Sequence, residues 1–179
     1  MAGVFHGTLG FAALQAKDYD QARRHYRQSV AAEPDNLQDV YQLAVAQLEG
    51  TPLDALGFWY AARSIAIARA ARNEVAANDI DRYVRSRYRI YRGSEEGWAE
   101  LLARVAAGER TPPDNFARSI PRMLTPPEAA LALVEDNDPA TLSFANWALV
   151  LRHRDATPAN KAAAEKVWQA ILDKQKGGG

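Results

Sequence analysis

Apolar residues recur at helical spacing along almost the whole chain, and each run ends at a proline, a glycine or a short polar cluster. That pattern restricts the fold to short amphipathic helices, because a half-buried strand would need alternation with a period of two. Residues 9–14 and 19–30 read as two helices split by Ala16-Lys17-Asp18, with Asp18 placed to cap the second. Pro34-Asp35-Asn36 stops that helix, and residues 39–48 form a third with Val40, Leu43, Ala44 and Leu48 on one face. Gly50 ends it, and Thr51-Pro52 reads as an N-cap followed by proline in the first turn of a fourth helix running to about residue 70. Residues 71–91 form a fifth, closed by Gly93. Ser94 with Glu95 and Glu96 reads as the start of a sixth, which carries Trp98, Leu101, Leu102 and Val105 and stops at Gly108.

Thr111-Pro112-Pro113 through Pro121 reads as an irregular connection or as an element docked along the helices. Beyond it, Thr125-Pro126-Pro127-Glu128 gives a helix start signal, and residues 140–152 form another helix bearing Leu142, Phe144, Trp147, Ala148 and Leu151. Thr157-Pro158 opens a last helix with Ala164, Val167, Trp168 and Ile171 at core-like spacing. No segment argues for a strand. The expected fold is all-α.

The first two helices carry a recognisable set of packing residues. Leu9-Gly10, Ala22, Tyr26, Ser29 and Pro34 stand at positions where this chain resembles the tetratricopeptide repeat (TPR) family. In physical terms Gly10 and Ala22 permit close helix approach, while Leu9 and Tyr26 fill the adjoining core. His6 and Ala13 depart from that pattern, standing where tryptophan and tyrosine are usual. A second, more divergent unit has Val40, Leu43, Ala44, Gly57 and Ser64 in matching places, with Ala61 at the aromatic position and no terminal proline. The likeness is fair over residues 3–70 and weak to 107. It implies antiparallel helix-pair repeats wound into a short right-handed superhelix over residues 3–107. Residues 108–124 then form the connection, and helices in 125–175 pack on or extend the array.

The resemblance also implies a function, since such repeats bind protein or peptide partners on the concave surface lined by the first helix of each pair. Mapped onto this sequence, that surface consists of Phe11, Leu14 and Gln15 from the first unit and Tyr41, Val45 and Glu49 from the second. The competing reading is that Phe11, Leu14 and Val45 pack against another segment of the chain. A structural or self-association domain of a larger protein is the alternative function.

Between Ala61 and Arg92 there are eight arginines against Glu74, Asp79 and Asp81. Arg82, Arg85 and Arg89 share one helical side and form a possible basic patch for an acidic partner. The plainer expectation is that they pair with neighbouring acids and cover Tyr83, Tyr88 and Tyr91. The chain is neutral overall, with 22 basic and 22 acidic residues, which gives no support to nucleic-acid binding.

Catalytic chemistry has little to build on. His6, His25 and His153 stand apart in sequence, and no cysteine is present to act as nucleophile or metal ligand. No glycine-rich loop is available to cradle a phosphate, so neither a metal nor a cofactor is expected. Trp59, Trp98, Trp147 and Trp168 sit among aliphatic residues and read as core. The first 14 residues lack the basic start and unbroken apolar segment of a signal peptide, and no stretch reads as a membrane span. With 47% hydrophobic residues the chain can bury about two-thirds of its unfolded surface without disulfides.

Overall fold

The computed structural model describes residues 2–177, in two compact units, Met1–Met123 and Leu124–Gly179. The first unit contains α1 (Ala2–Gln15), α2 (Tyr19–Ala32), α3 (Leu37–Glu49), α4 (Leu56–Ala70), α5 (Glu74–Arg92), α6 (Trp98–Ala106) and the single turn α7 (Phe116–Ser119). Each of α1 to α4 packs on the next, and α6 packs on α4. Successive helices thus form a ladder, as short connections between amphipathic helices require.

Two of those connections are the same device. Ala16-Lys17-Asp18 and Ala71-Arg72-Asn73 each place a basic residue at φ +58°. The next residue sends its N–H back to the preceding helix, from Asp18 to Ala13 O and from Asn73 to Ala68 O. Its side chain then caps the following helix, Asp18 accepting from Gln21 N–H and Asn73 from Ala76 N–H. Residues 71–73 are therefore turn, and α5 starts at Glu74.

Glycine fixes the closeness of two crossings. A Cβ on Gly10 would lie 2.9 Å from the Tyr26 ring, and one on Gly57 would lie 2.6 Å from Leu48. Ala22 and Tyr26 are buried with Val30, Val40, Leu43 and Ala46 in one cluster. Phe58, Trp59, Ile65, Val84, Tyr88 and Trp98 belong to a second, larger one. The connection after α6 joins that cluster, because Phe116 and Ile120 are buried in it and Phe116 meets Trp59 edge-on at 5.2 Å. Met123 then donates its N–H to Tyr91 O at 2.7 Å.

Two expected helix starts are displaced. Thr51-Pro52 caps nothing: α4 begins at Leu56, whose N–H is accepted by the Asp54 carboxylate at 3.0 Å. The close crossing at Gly57 and Leu48 sets where α4 can run, and residues 51–55 span the gap. Ser94 likewise opens no helix, since Gly97 at φ +86° precedes α6. Glu95 and Glu96 serve the arginines of α5 instead.

The second unit contains α8 (Pro126–Asp136), a 3-10 turn (Pro139–Thr141), α9 (Phe144–Arg152) and α10 (Pro158–Gly177). Thr125 and Glu128 form the capping box at the start of α8. Buried Asn160 ties α10 to α8 through a 2.7 Å bond to Pro127 O. The expected helix over 140–152 is broken, because Asp138 holds the Ala140 N–H in the 3-10 turn and Ser143 starts α9 afresh. Val134, Leu142, Val150 and Val167 centre this unit's core. Phe144 and Trp168 lie outside it, 83% and 55% exposed, which for Trp168 departs from the expectation that it is core.

Candidate interaction face

On α3, Tyr41, Val45 and Glu49 stand four residues apart and share one stripe. All three are half-buried. Glu49 faces α5, where it accepts a hydrogen bond from the Tyr83 hydroxyl and pairs with Arg87. Arg87 also lies over the Tyr83 ring, 5.7 Å from its centroid. The Glu49 carboxylate therefore closes a small network between the two helices.

Its effects on acidity follow from burial and charge. Burial raises Tyr83 well above the ordinary phenol range, and the hydrogen bond and charge of Glu49 add to this against the opposing pull of Arg87. Tyr41 is raised too, by burial first and by the Glu49 charge second. Burial pulls Arg87 down, but Tyr83 and Glu49 outweigh it and hold the guanidinium above its usual value. The phenols stay neutral donors and Arg87 stays charged at neutral pH.

On α1, Phe11 is 51% exposed and Gln15 is exposed, while Leu14 packs partly against the cluster around Tyr26 and Leu43. Since α1 also touches α3, the chain lays α1, α3 and α5 in sequence. Tyr83 and Arg87 belong to this neighbourhood although the mapping from α1 and α3 omits them. Nothing in the local sequence of α5 marks either side chain as a partner of Glu49 on α3.

The arginines of α5 are paired. Arg82 lies 3.2 Å from Asp79 and Arg85 lies 2.6 Å from Asp81, while Glu95 sits 3.7 Å from Arg85 and 3.8 Å from Arg89. Buried Arg63 on α4 had no sequence signal. It donates to Pro34 O at 2.5 Å and lies 3.6 Å from Asp35, and burial pulls its pKa below the usual guanidinium value despite Asp35. His6 and His25, far apart in sequence, meet with their Nδ1 atoms 3.3 Å apart. Among the described residues, no group of three or more His, Cys, Asp or Glu is placed to hold a metal ion. No helix among them is long and apolar enough to cross a membrane. No family model, no curated protein and no solved structure matches this chain.

Proposed function

We propose that residues 1–123 form a TPR-like scaffold that binds a segment of a protein partner along α1, α3 and α5. The observation that carries this reading is the Glu49–Tyr83–Arg87 network, which joins the first helices of successive pairs on one side. Phe11 supplies exposed apolar area there, and Gln15 and Tyr41 supply donors and acceptors. Rigid aromatic anchors flanked by fixed polar groups suit recognition of an extended or helical segment. The right-handed superhelical path expected of such an array is part of the same proposal.

Selection of a displayed random-peptide library against the full chain tests it, followed by hydrogen exchange on the complex. Enriched peptides are expected to protect α1, α3 and α5, and Phe11→Ala with Tyr41→Ala is expected to weaken them at least tenfold. Peptides that protect other elements, or that bind the double variant equally well, would remove the assignment.

A further inference from the structure

We propose that the second unit carries a self-association site in which Trp168 of one copy inserts beside α10 of another. The inference concerns residues 124–179 and stands apart from the reading of the helix ladder. A cavity of about 730 Å³ opens between the end of α9 and the first turns of α10. Leu151, Ala164 and Trp168 give it an apolar lining, and Arg154, Asp155, Lys161 and Glu165 complete its wall. The Trp168 indole stands at this opening with 55% of its surface in water, an unusual position for the largest apolar side chain. Phe144, 83% exposed, lies on the same stripe of α9 as Ala148 and Leu151, at four- and seven-residue spacing, and extends the apolar surface.

Charge selects the occupant. Lys161 and Glu165 lie one turn apart on α10, and among the described residues neither side chain has an ion-pair partner. Arg154 and Asp155 pair with each other at 3.2 Å. The wall therefore presents both signs in equal number, so a uniformly acidic or basic ligand would meet repulsion on part of it. A second copy meets none. A two-fold interface is self-complementary by construction, each patch facing the same patch reversed. Antiparallel α10 helices then set Lys161 against Glu165 of the second copy twice over, and each Trp168 enters the cavity beside the other copy's Leu151 and Arg154. Tryptophan and arginine are enriched among the residues that carry most of the energy of an interface, and a guanidinium beside an indole adds a cation–π attraction.

Sedimentation velocity of the full chain over a range of concentrations reads the result directly. A monomer–dimer equilibrium is expected, weakened at least tenfold by Trp168→Ala with helix content unchanged, since that ring lies outside the core. Lys161→Glu alone and Glu165→Lys alone are each expected to weaken dimerisation, by placing like charges opposite one another. Mixed in equal amounts, these two variants are expected to pair with each other more tightly than either does with itself. A chain that stays monomeric throughout overturns the proposal. So does a dimer indifferent to Trp168→Ala, or a mixture no tighter than its components.

Discussion

The Tyr26 ring cannot retreat from a side chain at position 10, because it is fully buried and walled by Ala22, Val40 and Leu43. Gly10→Leu would drive its new Cβ to 2.9 Å from that ring and force α1 outward. We expect a loss of about 1–3 kcal/mol, the usual cost of overpacking, seen as a lower midpoint in urea unfolding. An unchanged midpoint would show that the α1–α2 contact is not tight. This position was readable beforehand, since a small residue opposite an aromatic at helical spacing is a local pattern. Arg63 and the Glu49 network were not. Tyr83 lies 34 residues from Glu49, and nothing in either local segment names the other as a partner. The arginines of α5 show the converse, because their acids lie within a few residues or just past Gly93 and the balance of charge was visible in the sequence.

At the scale of elements, the repeated turn gives a stabilising prediction. Lys17 and Arg72 occupy the left-handed region at φ +58°, where a side chain costs about 1–2 kcal/mol and glycine costs far less. Glycine also loses more freedom on folding, so Lys17→Gly and Arg72→Gly are each expected to gain only about 0.5–1 kcal/mol. Thermal melts of the two single variants and their combination measure this, and lowered melting temperatures would refute it. Start signals in sequence proved sound where the partner was local: Asp18 caps α2, and Thr125 with Glu128 opens α8. They misled at Thr51-Pro52 and Ser94, because a cap only makes a helix available. Where α4 and α6 begin depends on the crossing at Gly57 and on arginines that draw Glu95 and Glu96 away. Periodicity likewise marked Phe144 and Trp168 as apolar without telling a core stripe from an exposed flank.

For the whole molecule, the chain from 110 to 123 belongs energetically to the helices before it. Truncation after Glu109 would strip Phe116 and Ile120 from the cluster around Trp59, and loss of a buried phenylalanine alone costs about 3–5 kcal/mol. A fragment of residues 1–123 is therefore expected to melt cooperatively, and one of residues 1–109 to melt at a clearly lower temperature or to be unfolded. Equal melting temperatures would mean that the strap contributes nothing.

That strap also governs how the first unit answers a pull. Tension arriving through residue 124 reaches the Met123–Tyr91 hydrogen bond before any helix pair. A single backbone bond at the end of a strap opens by peeling, one contact after another, so the load never falls on several bonds at once. Ile120 and then Phe116 would leave their sites in turn while the ladder of α1 to α5 stays closed. Residues 110–123 would then lengthen under load before α1 to α5 come apart.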